Sequence, residues 1–199
     1  MDFEEFASLN KFTAYKSDHF FPIYRKHFSK FKDPIKFLEI GVAEGSSLAM
    51  WSHYFHPNST IVGIDINPNC GNPELTNVHV RIGDQKDKNF LKELVKEFGT
   101  FDIVLDDGSH NSKDILETFH YLYPRISSTG CYLVEDTHKT YIDGLDNPKS
   151  FMNYVKNLLD QMSANSPSTP LPSGYFDNST FCISCYYGIV AFNKEPRWK

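Results

Sequence analysis

Apolar positions along the chain fall into two alternating rhythms. KFLEIG (36–41), TIVGIDI (60–66), VHVRIGD (78–84), FDIVLDD (101–107) and CYLVED (131–136) are short, rich in Val, Ile and Phe, and bounded by Gly, Asn, Asp or Pro. Runs of this kind predict strands buried on both faces. Between them, SSLAMWSHYF (46–55), DKNFLKELVKEFG (87–99) and NSKDILETFHYLYPRI (111–126) repeat their apolar residues at helical spacing, with Gly99 as a stop. Buried strands joined by helices predict an α/β fold, a parallel sheet with helices on both faces. The end of the chain breaks the pattern. FMNYVKNLLDQM (151–162) suits a helix, SANSPSTPLPSG (163–174) reads as a Pro-rich connector in preference to a lid, and FCISCYYGIVAFNK (181–194) holds two strand-like runs with no helix between them. That tail predicts an antiparallel hairpin closing the sheet. The whole of 1–199 reads as one domain, with 1–35 a helical N-terminal extension.

In an open parallel sheet, ligands bind beyond the carboxyl ends of the strands. Here those ends are acidic: Glu39, Asp65, Asp84, Asp106 with Asp107, and Glu135 with Asp136. The first strand runs into GVAEGSS, a turn bearing Gly41 and Gly45 that opens a helix and lets a ligand approach the backbone. It lacks the G-x-G-x-x-G spacing of a pyrophosphate loop, since Ala43 stands between the glycines. Asp65 ends the second strand and is placed to accept hydrogen bonds from a ribose diol, which suits a nicotinamide dinucleotide or S-adenosylmethionine. Charge separates the two, because a carboxylate-rich mouth favours a sulfonium and an ammonium over a pyrophosphate.

Asp107, Glu135 and Asp136 end two strands expected to be adjacent, about 4.8 Å apart. Carboxylates that close repel one another unless a cation sits among them. An all-oxygen set with room for water suits Mg²⁺. His110 follows Asp107 by three residues at a helix start and can look back over the same point as a general base.

Charge and composition narrow the partners. The 20 Lys plus Arg against 25 Asp plus Glu give a net charge of −5, which argues against a nucleic-acid backbone. The acidic start MDFEEFASLNKF is no signal peptide, and no run approaches the roughly 18 apolar residues of a membrane span, so a cytoplasmic location is expected. Cys182 and Cys185 form a CxxC on a strand, facing opposite sides, so a structural role is expected for them and for the other two cysteines.

Taken in order, GVAEGSSLAMW, GIDI, GDQKD, LDDGSH and YLVED resemble the catalytic domain of the macrolide-sugar O-methyltransferases of the mycinamicin and macrocin type, within the class I S-adenosylmethionine-dependent methyltransferases. The resemblance extends to KSDHFFPIYRKHF (16–28) and CISCYYGIVAFNK (182–194). It implies a Rossmann-like, mostly parallel seven-stranded sheet. It implies further that Glu39, Gly41 and Gly45 border the methionine part of S-adenosylmethionine, that Asp65 holds the ribose, that Asp84 and Gln85 lie near the adenine, and that Asp106 lies near the methionine end. Asp107, Glu135 and Asp136 would bind Mg²⁺ and His110 would be the catalytic base. Two departures stand out. Ala43 replaces a common glycine, which is tolerable with an ordinary backbone torsion, and about 35 residues precede the first strand, too few for the separate N-terminal region of that family. The implied activity is Mg²⁺-dependent methyl transfer to a hydroxyl of a small molecule or glycan, a sugar first, with a catechol-type methyltransferase and an NAD-dependent oxidoreductase as alternatives. A homo-oligomeric state is left open.

Overall fold

A computed structural model describes residues 16–142, 144–164 and 180–195. Its strands are β1 (Lys36–Ile40), β2 (Thr60–Asp65), β3 (Val78–Ile82), β4 (Ile103–Asp106), β5 (Cys131–Val134), β6 (Thr180–Cys185) and β7 (Val190–Lys194). The helices are α1 (Phe21–Phe28), α2 (Ser46–Tyr54), α3 (Lys88–Phe98), α4 (Ser112–Leu122) and α5 (Phe151–Ala164). All seven strands join one sheet in the order β3-β2-β1-β4-β5-β7-β6. The first five are parallel, β7 runs antiparallel to β5, and β6 pairs with β7 as the hairpin that the tail predicts. The order of winding reverses between β1 and β4, which opens a crevice at their carboxyl ends. Most of the loop expected at 163–174 lies outside the described residues, as does the extension before residue 16.

Local chemistry sets the helix ends. The Asp87 carboxylate accepts from the amides of Asn89 and Phe90 at the start of α3, and Gly99 stops that helix with φ of 78°. Asn111 caps α4 by accepting from Lys113. Pro124 then tightens the expected 111–126 helix into a 3₁₀ turn at Tyr123–Arg125, so α4 proper is shorter than its apolar pattern.

Each face of the sheet carries its own core. On one, Tyr24 and Phe28 of α1 pack with Phe37, Trp51 and Phe55, and Leu105 and Leu133 belong to this face. On the other, Phe119 and Tyr123 stack at 4.7 Å and meet Tyr132 and Phe192. Side chains alternate along a strand, so residues in register at odd or even positions share a face. This parity decides the layout of the site. Cys70, Cys131, Cys182 and Cys185 are all free thiols. Among the described residues no helix is long and apolar enough to cross a membrane.

Candidate active site

β1 delivers its last residues into a turn that only particular backbones can make. Gly41 has φ of 90°, and a Cβ there would run into the carbonyl oxygen of Asp107 on the loop after β4. Gly45 follows with φ of 79° at the start of α2. Ala43 between them also lies in the left-handed region, at φ of 47°, so the ordinary torsion expected of it is not what the fold uses. Hydrogen bonds from outside its own residues hold the turn. The Asp65 carboxylate accepts from the amides of Val42 (2.8 Å) and Ala43 (3.1 Å), and the Gly71 amide donates to the Ala43 carbonyl (2.6 Å).

Asp65 thus anchors the turn and also lines a cleft of about 190 Å³ with Gly41, Asp84, Gln85, Gly108 and Ser109. Gln85 forms its floor. Its Oε1 accepts from the Ser109 amide at 2.8 Å, and its Nε2 donates to Asp106 and Thr118. Asp106 itself lies beneath the cleft, not on its wall. It is buried and accepts from the Tyr132 hydroxyl (3.1 Å) and the Gly108 amide (3.3 Å), and burial pushes its carboxyl up to about 7. Parity accounts for this position, since Asp106 is in register with Ile40 and Val134, which face the Tyr132 side of the sheet.

The opposite parity gathers Glu39, Asp107 and Glu135 on the α1 side, two residues beyond or level with Leu105 and Leu133. What lies among them is the ammonium of Lys16, at 2.6 Å from Asp107 Oδ2, 3.0 Å from Glu135 Oε2 and 3.1 Å from Glu39 Oε1. Glu135 Oε1 accepts the Tyr24 hydroxyl, and Glu39 Oε2 accepts from Ser47 at 2.7 Å. Burial pushes Glu39 and Glu135 up against the pull of Lys16, whose own basicity three carboxylates strengthen despite burial.

Asp136 goes elsewhere. It turns at φ of 50° and, half-buried, receives Lys139 at 2.6 Å; burial raises its carboxyl, and the hydrogen bond and charge of Lys139 bring it below its usual range. His110, at φ of 56°, sets its Nε2 3.8 Å from Asp136 Oδ2 and 3.9 Å from Asp107 Oδ1, and burial lowers its pKa. The structure therefore brings together Asp107, Asp136 and His110, whose ligand atoms lie within 4.8 Å of one another, and holds Glu135 behind them with Lys16. His110 also lines a second cleft, of about 470 Å³, with Asn111, His138, Lys139 and Tyr141. Ser109 borders both clefts. Among the described residues, Ala43, His110 and Asp136 are the non-glycine residues with positive φ, and all three sit at these strand ends. Backbone strain of that kind collects where function needs a fixed geometry.

Sequence reasoning assigned no role to Lys16 or Tyr24. The signal that could have found them is the surplus of carboxylates at buried strand ends, which calls for a cation and a donor from within the chain.

The sheet order, the antiparallel β7 and the cleft at the β1–β4 switch define the class I methyltransferase fold. A family model described as a methyltransferase domain matches residues 38–137, and the chain belongs to that family. It is 32% identical over 214 residues to demethylmacrocin O-methyltransferase of Streptomyces fradiae, covering 97% of this chain and 53% of that protein. With 8-demethyl-8-alpha-L-rhamnosyl tetracenomycin-C 2'-O-methyltransferase of Streptomyces olivaceus the identity is 35% over 150 residues, covering 69% of this chain and 39% of the relative. A solved structure of the MycE methyltransferase from the mycinamycin biosynthetic pathway, in complex with Mg, SAH and mycinamycin VI, superposes with a TM-score of 0.85 at 30% identity, covering 98% of this chain and 54% of that one. The chain thus spans about half the length, or less, of the relatives it matches.

Proposed function

We propose that the protein is an S-adenosylmethionine-dependent, Mg²⁺-assisted O-methyltransferase whose acceptor is a hydroxyl of a sugar or glycosylated small molecule. The observation that carries this reading is the seat of His110. Its Nε2 lies beside two carboxylates but beyond hydrogen-bond reach of either, at the junction of two clefts that share Ser109. Burial lowers its pKa, which favours the neutral imidazole that a general base needs.

The residues fit the two groups this reading requires. Gly41 lines the first cleft and lets the chain pass the Asp107 carbonyl where a Cβ would clash, and Asp65 and Asp84 offer carboxylate acceptors along the cleft for a ribose and a base. Glu39 lies behind the cleft, its Oε1 paired with the Lys16 ammonium at 3.1 Å and its Oε2 with Ser47. Asp107 and Asp136, backed by Glu135, form an oxygen set suited to Mg²⁺, and an ammonium already seated against Asp107 and Glu135 shows their preference for cations. When bound, S-adenosylmethionine supplies an electrophilic methyl group and Mg²⁺ a charge that favours an ionised acceptor hydroxyl. The chain's own work is alignment and proton handling. The first cleft orients one reactant, the second the other, and His110 Nε2 accepts the hydroxyl proton between them.

Membership of the methyltransferase-domain family favours S-adenosylmethionine over a nicotinamide cofactor. A sugar as acceptor is supported by relatives named for methylation of a rhamnosyl substituent. The second cleft suits it too, with Asn111, His138 and Lys139 as polar partners and the Tyr141 ring as a stacking surface. Replacing His110 with Ala is expected to lower methyl transfer about 10²- to 10⁴-fold while calorimetric binding of S-adenosylhomocysteine stays within about twofold. Retained turnover in that variant removes His110 from the chemistry. A screen of glycosides and catechols with Mg²⁺ or with EDTA tests acceptor class and metal dependence together.

A further inference from the structure

Each carboxylate of the proposed metal set already has an ammonium partner. Lys139 contacts Asp136 at the surface, and Lys16 contacts Asp107 and Glu135 in the interior, its side chain 3% exposed. Glu135 has both oxygens engaged, one by Tyr24 and one by Lys16. Asp107 is divided, Oδ2 inward to Lys16 and Oδ1 outward toward His110. Four carboxyl groups (Glu39, Asp107, Glu135, Asp136) face two ammoniums (Lys16, Lys139), so the cluster has a surplus of acidic groups over fixed cations. That surplus attracts a divalent cation, yet the inner oxygens it needs are those that Lys16 holds.

We propose that Lys16 is a tethered placeholder for the divalent cation: it holds Asp107 and Glu135 together in the metal-free protein and yields at least one of them when the ion binds. The proposal rests on the Mg²⁺-assisted reading above. A lysine suits this exchange better than an arginine, being a compact charge on a flexible stem. Glu39 makes the exchange feasible. It stands 3.1 Å from the ammonium and outside the metal set, so Lys16 can retreat onto it without leaving a buried charge unpaired. Two consequences follow. The carboxylates stay gathered, instead of repelling, before metal arrives, and the affinity for metal is lower than the same carboxylates would have alone.

Calorimetric titration of the full chain with Mg²⁺, wild type against Lys16→Met, tests this. Removing the competing charge should tighten Mg²⁺ binding by about tenfold or more. A lysine that served only to brace the fold would give the opposite, weaker binding as its carboxylates spread. A second measurement uses wild-type protein labelled with ¹³C at the lysine ε-carbons, the Lys16 resonance being assigned by its loss in Lys16→Arg. Addition of Mg²⁺ should shift that resonance as the ion pair rearranges, which decides the matter if Lys16→Met does not fold. Equal or weaker Mg²⁺ binding by Lys16→Met, or an unmoved Lys16 resonance at saturating Mg²⁺, overturns the placeholder and leaves the metal-assisted reading standing. Absence of Mg²⁺ binding by the wild type overturns both.

Discussion

Glu135 and Asp136 are neighbours in the chain, and their carboxylates live in different media. Glu135 is 1% exposed and pressed between Lys16 and Tyr24, whereas the Asp136 side chain is 25% exposed and meets a lysine from the surface. The same division runs through the whole site. An inner half of Glu39, Lys16 and Glu135 is ordered by burial, and an outer half of His110, Asp136 and Lys139 includes two residues with strained backbones, His110 and Asp136, with Asp107 reaching into both. Charge pairs of one chemical type therefore do different work on the two sides. Inside, an unpaired charge has no water to turn to, so the pairs fix structure. Outside, water and ligand compete for every contact, so the groups stay available for chemistry.

The two lysines offer the sharpest way to break that contrast. Lys16→Ala strips two buried carboxylates and the half-buried Asp107 of their cation and should cost about 3–5 kcal/mol of stability in metal-free buffer. Lys139→Ala removes a contact of equal type and 2.6 Å length on a side chain 45% exposed, and should cost less than about 1 kcal/mol. Urea denaturation of both variants with EDTA present checks the pair. Similar losses would mean that burial does not divide the site.

How far this layout could be read from the sequence depended on which rule governed each element. Hydrophobic rhythm located the five parallel strands and the closing hairpin, because burial on both faces leaves a plain apolar run. The acidic strand ends were legible for the same reason, and Asp65, Asp84 and Gln85 do line one cleft. What proximity in sequence could not supply was facing. LDD and ED look like paired carboxylates, but alternation sends Asp106 to the Tyr132 side and Asp107 to the Lys16 side, and the left-handed turn at Asp136 swings it away from Glu135. Lys16 stayed hidden because it lies 91 residues from Asp107 and 119 from Glu135, in a segment whose pattern announced only a helix to come.

Strain at the strand ends can be measured apart from chemistry at Ala43, whose methyl group is assigned no contact with either reactant. At φ of 47° an L-residue is disfavoured, and Asp65 and Gly71 impose that conformation through the backbone. Ala43→Gly should therefore raise stability by about 1 kcal/mol with no loss of S-adenosylhomocysteine binding. Thermal denaturation and calorimetry read the two effects separately. A destabilised variant would show that the turn tolerates alanine without cost, and that strain at His110 and Asp136 need not be argued from its company.

The smallest expected effect tests burial where no carboxylate takes part. His27 lies on α1 one turn beyond Tyr24, 6% exposed, its ring nitrogens meeting Asn193 Oδ1 at 3.1 Å and the Tyr186 hydroxyl at 3.0 Å. Burial lowers its pKa, the Asn193 hydrogen bond pulls the other way, and the charges of Lys26 and Lys30 reinforce the lowering. Below about pH 6.5 the unfolded chain then binds a proton that the folded chain refuses, so stability is complete above that pH and falls as acid is added. The slope for one proton is at most about 1.4 kcal/mol per pH unit. His110 and His120 are lowered too and slope in the same direction, so the informative quantity is the difference between wild type and His27→Gln from pH 7.5 to 5.5. That difference should shrink steadily as the pH falls. If it stays constant, burial at α1 does not hold the His27 imidazole against protonation.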